Sequence, residues 1–364
     1  MIVGTRRNVA ETRYVHPDDA HDLSSLLLRR HGVPAADAAL VADSLVDADL
    51  RGVSTHGILR LPGYLDRIRR GVVSADPHLQ VDRVAAAVAR LDGGNGLGAV
   101  VGHRAMEEAI SLARGAGLGL TLVRRSSHFG TAAQYARQAA AHGMASITIT
   151  NASRALPAWG GRTPLLGTSP IAIGAPDADG GLVLDMSPAV AARGKVRAAL
   201  RRGESLPPGW ALDAGGAPTT DPASALAGTM LAMGGPKGSG LALMFDVLAG
   251  VLTGAAFGGE VGDQYLDLDR PQDVGHFFLA IDPGAVMPAE VFLARIQELE
   301  HRVHASPPAV GVDEVLLPGE LEDRTHAHRS RAGIPFTADE LSVLTKEAQR
   351  CHILPLWSSA DEFT

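Results

Sequence analysis

A chain of 364 residues is long enough for about two or three domains, and its 46% hydrophobic and 20% charged residues exclude wholesale disorder. Asp and Glu total 40 against 33 Lys and Arg, and this net charge of -7 excludes nucleic acid as an expected partner because phosphate backbones repel it. A single cysteine, Cys351, excludes an intrachain disulfide, and no run reaches the roughly 20 apolar residues of a membrane span, so we expect a cytoplasmic protein without a membrane partner.

The predicted elements begin with a tail and three helices. Residues 1–13 are polar and aperiodic, and we expect them to form a flexible tail. Apolar residues then repeat at helical spacing from Pro17 to Gly32 and again after Pro34, which predicts two helices. A third helix contains Pro62, which lacks an N–H, so regular helix begins only a few residues before it. The loop before this third helix is a suitable place for a reactive side chain.

Beyond residue 75 short β-prone runs interleave with helices. Strands are predicted at residues 79–84, 88–91, 118–123, 145–150 and 276–281, and apolar runs lie at 171–175 and 182–186. Helices are predicted at about 98–115, 131–142, 190–202, 241–252, 289–303 and 337–351. This alternation is typical of an α/β or α+β protein.

Two glycine-rich segments resemble nucleotide-binding motifs but match neither one. In the segment 94–98 the third glycine of the Rossmann fingerprint would fall at position 99, which is Ala99, so we interpret the segment as a turn and a helix start. The segment 234–240 lacks the Gly-Lys-Ser/Thr that closes a P-loop. Its glycines suit close approach of the backbone to a phosphate, with Lys237 as counter-charge, and they suit a plain helix entry equally well.

Two histidines lie in segments rich in other reactive groups. His56 follows Thr55 and precedes Arg60 and Tyr64, which are one helical turn apart and can face one pocket. Arginine binds a carboxylate through two parallel hydrogen bonds, which lysine cannot do. His128 follows a β-prone run and precedes a glycine, as in a catalytic loop at the end of a strand. A solvated arginine and a core histidine are the competing interpretation of this spacing.

The remaining histidines show how weak a lone histidine is as a signal. The chain has 14 of them, and most must be structural or lie on the surface. The pairs His301/His304 and His326/His328 have a spacing suited to metal, yet no acidic or cysteine partner is evident in the sequence. We therefore predict no metal site.

Taken together, several segments resemble the malate/L-lactate dehydrogenase family, which is distinct from the Rossmann dehydrogenases. This family also contains ureidoglycolate dehydrogenases, diketogulonate reductases, sulfolactate dehydrogenases and cyclic-ketimine reductases. The matches run in order from about residue 14 to 345, and the matching segments are Ser54–Tyr64, Ser126–Gly130, Pro164–Pro170, Leu184–Val196, Met233–Leu241 and Pro318–Glu320.

The resemblance implies a mixed, non-Rossmann α/β fold in two parts. A helical domain would be built from residues 14–75 and 312–364, near both ends of the chain. A central domain, residues 76–311, would bind cofactor and substrate on a largely antiparallel sheet. The resemblance also implies a homodimer or higher oligomer with sites near the subunit interface.

The resemblance further implies roles for particular residues. His56 matches the family's acid/base histidine, Thr55 stands where serine is frequent, and Arg60 takes the accompanying arginine position, with Tyr64 and Thr168 as substrate contacts. His128 matches a second histidine beside nicotinamide and substrate. The matching cofactor contacts are His128, Phe129, Gly130, Ser169, Asp185, Met186, Ser187, Lys237, Gly238, Pro318, Gly319 and Glu320.

Two positions depart from the family pattern. Pro188 and Ala189 replace a pair of small hydroxyl residues, which puts a hydrogen bond to cofactor or substrate in doubt, and Ala232 stands where proline is usual.

These observations predict an NAD- or NADP-dependent oxidoreductase that interconverts a small 2-hydroxy acid and its 2-oxo acid. A histidine with an ordinary pKa near ~6.5 can move the proton in both directions at neutral pH. The alternatives are an NADPH-dependent reductase of a cyclic imino acid and a recruited enzyme that keeps the fold without redox chemistry. The departure at Pro188 and Ala189 is the support for the last of these.

Overall fold

The computed structural model describes residues 12–178, 180–355 and 357. Its contacts divide into two compact units, one made of residues 1–66 and 322–364, here called the terminal unit, and one of residues 67–321, the central unit. From the sequence we expect these divisions after residues 75 and 311. The predicted flexible tail lies outside the described residues except for its last two positions, which belong to a strand.

Most strands are short, and the longest lie in the central unit. In chain order they are β1 (Thr12–Val15), β2 (Gln80–Ala85), β3 (Val88–Asp92), β4 (Leu118–Ser126), β5 (Ala145–Thr150), β6 (Arg154–Leu156), β7 (Leu166–Gly167), β8 (Ile171–Ala175), β9 (Leu182–Met186), β10 (Ala211–Leu212), β11 (Pro218–Thr219), β12 (Thr229–Met230), β13 (Val274–Ile281) and β14 (Ile334–Thr337).

Helices occur in both units. They are α1 (Pro17–Arg30), α2 (Ala35–Leu50), α3 (Leu61–Arg69), α4 (Gly98–Ala116), α5 (Ala133–Ala140), α6 (Arg193–Arg202), α7 (Pro222–Ala227), α8 (Pro236–Asp246), α9 (Ala289–His304), α10 (Glu320–Ala332) and α11 (Ala338–Arg350). Short 3-10 turns cover Ser54–His56, Ile58–Arg60 and Pro283–Ala285, and a π-helical turn, Val247–Val251, continues α8. Within the described ranges no helix has the length and apolar character needed to cross a bilayer.

The terminal unit pairs the two ends of the described chain. β1 and β14 run antiparallel, with Val15 opposite Ile334. α11 begins with a capping box, in which Thr337 and Glu340 each satisfy a backbone N–H of the other. α1 carries acidic residues in its first turn and basic residues in its last, which complements the helix dipole.

A seven-stranded sheet organises the central unit. Its strand order is β2-β3-β4-β13-β5-β8-β9, and every neighbouring pair is antiparallel except β3 and β4. A Rossmann sheet is parallel throughout its nucleotide-binding half, so this topology differs in kind. The predicted mixed, non-Rossmann α/β fold is confirmed, including the largely antiparallel character of its sheet.

Helices cover both faces of this sheet. On one face α4 and α5 supply Met106 and Tyr135 to a core that also contains Phe278 of β13. On the other face Phe245 and the π-helical turn pack against Ile149 and neighbouring side chains. Phe277 and Phe278 therefore point to opposite faces, as the two-residue period of a strand requires. Burying a side chain such as Phe278 contributes about 1.5–3 kcal/mol.

Candidate active site

The first candidate histidine lies in the terminal unit, between two 3-10 turns that precede α3. His56 closes the turn Ser54–His56, and its backbone N–H donates to the Val53 carbonyl over 2.8 Å. Its Nδ1 lies 3.0 Å from the Thr55 hydroxyl, and the Arg60 Nε donates to the Thr55 carbonyl. The structure thus brings Thr55, His56 and Arg60 into one cluster at the helix entry that the sequence predicts. Tyr64, one turn further along α3, is buried.

The imidazole of His56 is neutral in the free chain at physiological pH. Burial, and next the positive charge of Arg60, lower the pKa of His56 to about 3, although the side chain keeps part of its surface exposed. The expectation of an ordinary pKa is therefore wrong for the free chain, because a buried ring beside a guanidinium disfavours its own protonation. A neutral ring is ready to accept a proton, and an anion on Arg60 would favour the protonated form.

The second candidate histidine lies in the central unit, in the loop Ser126–Gly130 between β4 and α5. The backbone N–H of half-buried His128 donates to the buried Gln272 side chain over 3.2 Å, and Phe129 beside it is fully buried. Gly130 has φ +81, a backbone conformation that favours glycine. The loop is therefore held from both sides of the histidine, as an active-site loop requires.

The glycine segment 94–98 supports this loop. Gly98 N–H donates to the Ser127 hydroxyl, which in turn donates to the Gly96 carbonyl. A Cβ on Gly98 would lie 2.2 Å from the Ser127 carbonyl oxygen. These contacts explain the glycines by close packing of two backbones.

His276 of β13 packs against the same loop and was not among the histidines predicted to be functional. It is fully buried, with Nδ1 2.7 Å from the Thr150 hydroxyl and Nε2 2.8 Å from that of Ser126. Its ring stacks on Phe129 at 4.6 Å between centroids and 9° between planes. Burial lowers the pKa of His276 to about 3, so the ring is neutral. The only sequence signal was a histidine in an apolar strand, because both hydroxyls come from other strands.

The predicted contacts around β8 and β9 also adjoin this loop. Asp185 Oδ2 accepts the N–H of Ala133 over 2.8 Å, so it caps the start of α5, which directly follows the loop. The Ser187 hydroxyl donates to the Thr168 carbonyl over 2.6 Å. Met186, between Asp185 and Ser187, ends β9.

Ser169 has a buried hydroxyl that a bound polar group could satisfy. It is fully buried with φ +24, and its hydroxyl has no hydrogen-bond partner within the part of the chain that the structure describes. An orphaned buried hydroxyl costs free energy that a bound polar group can recover. The residue therefore fits its predicted role as a cofactor contact.

The start of α8 fits a phosphate. Gly234 and Gly235 have φ +58 and +62, and exposed Lys237 stands in the first turn, where the helix dipole favours negative charge. A Cβ on Gly238 would lie 2.2 Å from the Met233 carbonyl oxygen, so this glycine serves close packing. Beside this turn the exposed indole of Trp159 lies within 3.2 Å of the position a Gly235 Cβ would take.

In the segment Pro318–Glu320, the Glu320 carboxylate makes two local hydrogen bonds. One oxygen of Glu320 lies 2.7 Å from His304 Nε2, and the other accepts the N–H of Leu317 over 2.8 Å. His304 thus has in space the acidic partner that was not evident in the sequence. Among the described residues no group of His, Cys, Asp and Glu is arranged to hold a metal ion.

Comparison with known proteins places this chain in a family. The model of the malate/L-lactate dehydrogenase family matches residues 15–345. The chain belongs to that family, as the motifs predict.

Curated relatives carry several activities. An L-sulfolactate dehydrogenase from Methanocaldococcus jannaschii is 41% identical over 316 residues, which is 86% of this chain and 90% of the relative. A (2R)-3-sulfolactate dehydrogenase (NADP(+)) from Chromohalobacter salexigens is 38% identical, over 91% of this chain and 96% of the relative. A ureidoglycolate dehydrogenase (NAD(+)) from Escherichia coli is 34% identical, over 90% and 94%.

Solved structures agree with the fold. The sulfolactate dehydrogenase of Methanocaldococcus jannaschii superposes with a TM-score of 0.89 at 38% identity, covering 94% of this chain and 98% of that one. A Δ1-piperideine-2-carboxylate reductase from Pseudomonas syringae gives a TM-score of 0.82 at 32% identity, covering 92% and 100%.

Proposed function

We propose that this chain is an NAD- or NADP-dependent oxidoreductase that interconverts a small 2-hydroxy acid and its 2-oxo acid. One observation carries the proposal: a neutral, half-buried histidine lies in one cluster with a guanidinium suited to a carboxylate. Relatives named as sulfolactate and ureidoglycolate dehydrogenases support this substrate class, since both names describe 2-hydroxy acids.

The residues of the terminal unit would handle the substrate. Arg60 binds the carboxylate and Tyr64 helps to orient it. The bound carboxylate offsets the charge of Arg60 and thereby raises the pKa of His56. During oxidation His56 accepts the proton of the substrate hydroxyl, and during reduction it returns that proton to the oxygen. Thr55, hydrogen-bonded to Nδ1, fixes the ring orientation.

The residues of the central unit would hold the cofactor, which supplies the hydride acceptor and donor. Ser169 would satisfy its orphaned hydroxyl on it, and Lys237 with the first turn of α8 would bind phosphate. His128, held by Gln272, would lie against the nicotinamide and polarise the substrate carbonyl, and Thr168, next to Ser169 in the chain, would contact the substrate. The predicted contacts Asp185–Ser187 and Pro318–Glu320 complete this proposed set.

A second substrate class has a specific observation in its favour. One structural neighbour is named a Δ1-piperideine-2-carboxylate reductase, a name that describes reduction of a cyclic C=N bond beside a carboxylate. The same substrate class is therefore a second candidate for this chain. In that reaction His56 would deliver its proton to the imine nitrogen.

Absorbance at 340 nm tests both classes. The purified chain is mixed with NADH or NADPH and a panel of 2-oxo acids and cyclic imino acids. We expect turnover with at least one 2-oxo acid. Turnover confined to cyclic imines would replace the first proposal by the second, and no turnover alongside measurable cofactor binding would indicate a recruited non-redox protein.

We also propose that the chain forms a homodimer through α8 and its π-helical continuation. One side of this segment is apolar and solvent-exposed, including Leu243, Met244, Val247 and Val251, with Met244 52% exposed. A contiguous apolar stripe of this kind is typical of a protein interface. Sedimentation should report a dimer for the natural chain and a monomer for Met244→Glu. Val81→Glu, at an exposed valine of β2, should leave the dimer intact.

The cytoplasm is the compartment we propose. Its support is that the chain has a single cysteine, Cys351, and therefore no pair for the intrachain disulfides that oxidising compartments favour. Cell fractionation with an antibody against the chain tests this, and recovery in a membrane or secreted fraction would contradict it.

A further inference from the structure

A buried carboxylate lies close to residues before and after His56 in the chain. Asp49 lies in the last turn of α2 and is only 1% exposed. Its Oδ2 accepts the backbone N–H of Ile58 over 2.8 Å, and the nearby Ser54 hydroxyl acts to lower the pKa of the carboxyl group. Ser54 and Ile58 lie two residues before and two residues after His56. Asp49 therefore holds the backbone after His56 and lies beside a side chain before it.

Gly57 makes this contact possible. A Cβ at this position would lie 2.0 Å from Asp49 Oδ1, far inside van der Waals contact. The backbone of Gly57 has φ -82, which any residue can adopt, so space and not conformational freedom requires the glycine. The carboxylate of Asp49 is thus packed directly against the peptide that follows His56.

Stability alone gives a weak reason for an aspartate here. Burial raises the pKa of Asp49 to about 6, and Asp49 Oδ1 has no hydrogen-bond partner within residues 12–178, 180–355 and 357. The charged groups that face it are Arg329 of α10, which favours the ionised form, and Glu340 of α11, which disfavours it. Burying a partly satisfied carboxylate is costly, so a neutral residue would suit the fold better.

We infer that Asp49 is a positioning residue that sets the position of the His56 backbone, and so of its ring, through its hydrogen bond to Ile58 and its packing against Gly57. This inference rests on the proposed acid/base role of His56. A displacement of about 1 Å at a catalytic group can lower turnover on the order of 100-fold, so a firm hold on this segment has a direct catalytic value.

Replacement of the carboxylate by an amide tests the inference. Asp49→Asn keeps an acceptor for the Ile58 N–H but puts amide hydrogens against Gly57 and Ser54. In the full chain we expect kcat to fall roughly 10–100-fold, with KM and the cofactor dissociation constant changing much less. Asp43→Asn, at an exposed aspartate of the same helix, should leave kcat unchanged.

The pH profile provides a readout that a purely structural role would not move. Protonation of Asp49 weakens its hydrogen bond to Ile58, so kcat for reduction, which uses the protonated form of His56, should fall as pH drops through about 6. In Asp49→Asn kcat should keep its reduced value across this pH range, without a fall near pH 6. An acid limb near pH 6 that persists unchanged in Asp49→Asn would overturn the inference.

The double variant separates this inference from the proposed function. If Asp49 acts through His56, Asp49→Asn should have no further effect on kcat in the His56→Ala background. If His56→Ala is slow while Asp49→Asn keeps full activity, the inference is overturned and the proposed function still stands. Full activity in His56→Ala would overturn both.

A second variant guards against loss of folding. Ser54→Ala removes the hydroxyl beside the Asp49 carboxylate at an exposed position, where we expect the chain to fold. We expect kcat to fall roughly 3–10-fold with an unchanged melting temperature. Unchanged kcat in this variant would contradict a role for the Ser54 hydroxyl in positioning His56.

Discussion

At the scale of single residues, the candidate catalytic side chains are held by hydrogen bonds to residues close to them in the sequence. Arg60 reaches back to the Thr55 carbonyl, and Thr55 contacts the ring of His56, so three sequence neighbours form one cluster. A substitution at any of these residues should shift the others, because each is hydrogen-bonded to the next. Arginine at this position supplies both the charge and the planar fork of hydrogen-bond donors.

The first prediction concerns that fork. Arg60→Lys should be nearly as harmful as Arg60→Ala, because a lysine can neither bind a carboxylate bidentately nor replace the bond to Thr55. Loss of such a pair in a partly dry site costs on the order of 2–5 kcal/mol, read from kcat/KM. Arg30→Lys, at the exposed end of α1, is the control. Activity close to that of the natural enzyme in Arg60→Lys would place Arg60 outside the site.

The second prediction separates the two candidate histidines. His56→Ala should lower kcat roughly 10²–10⁴-fold and leave cofactor binding almost intact, because it removes the proton carrier. His128→Ala should weaken cofactor binding as well as turnover. His142→Ala, at an exposed histidine of the central unit, should change neither. Stopped-flow turnover and cofactor titration measure the two effects, and the reverse pattern would exchange the two assignments.

Residues within one short segment were predictable, and residues that act across the fold were not. Thr55, His56 and Arg60 lie within six positions, so the local helix entry alone brings them together. His276 and its hydroxyl partners come from three strands, and Asp49 reaches the His56 segment from the preceding helix. These contacts depend on tertiary packing, which no local pattern encodes.

At the scale of secondary structure, glycines show where two elements approach closely. The segment 94–98 precedes α4 and lies against the loop that holds His128. A Cβ on Gly96 would lie 2.5 Å from the Pro77 ring, so its role is explained by packing. The long strands were predictable from apolar runs: β5 has the predicted bounds, and the apolar runs at 171–175 and 182–186 form β8 and β9. The two-residue strands, and β1 with its distant partner β14, carry no local pattern.

The third prediction tests this packing role. Gly96→Ala should lower the free energy of unfolding by about 1–3 kcal/mol, because the new methyl group overlaps the proline, and cofactor affinity should stay unchanged. Gly115→Ala in α4, where a Cβ meets nothing, should instead stabilise the chain by up to about 1 kcal/mol. Urea denaturation and cofactor titration give both quantities. Weakened cofactor binding with normal stability in Gly96→Ala would favour a dinucleotide role for the segment.

At the scale of the whole molecule, buried titratable groups set the response of stability to acid. The folded pKa of His276 and of His56 is about 3, below the ordinary 6.5, so the folded chain binds fewer protons than the unfolded chain between these values. Stability is therefore lost as pH falls from 6.5 towards 3. Half-buried His56 contributes less than His276 because solvent screens it. The pKa of Asp49 is raised from 3.8 to about 6, so stability is gained as pH falls through that window.

The fourth prediction follows from these opposite signs. His276→Asn should lose less stability than the natural chain when pH falls from 6.5 to 4, and Asp49→Asn should lose more. Each group changes the slope of the free energy of unfolding against pH by at most about 1.4 kcal/mol per pH unit. Asp43→Asn is the neutral control, and urea denaturation at a series of pH values measures the slopes. Equal slopes for all variants would show that these groups do not control acid stability.

The exposed indole of Trp159 also makes this enzyme easy to observe. It is 66% exposed and borders the first turn of α8, where we place the phosphate of the cofactor. A fluorophore in that position reports a nearby binding event by a change in its own emission. Titration with NADH or NADPH should therefore quench the fluorescence of the natural chain, and Trp159→Phe should lose most of the signal. Affinity for the two nucleotides can then be compared without a substrate, a label or turnover.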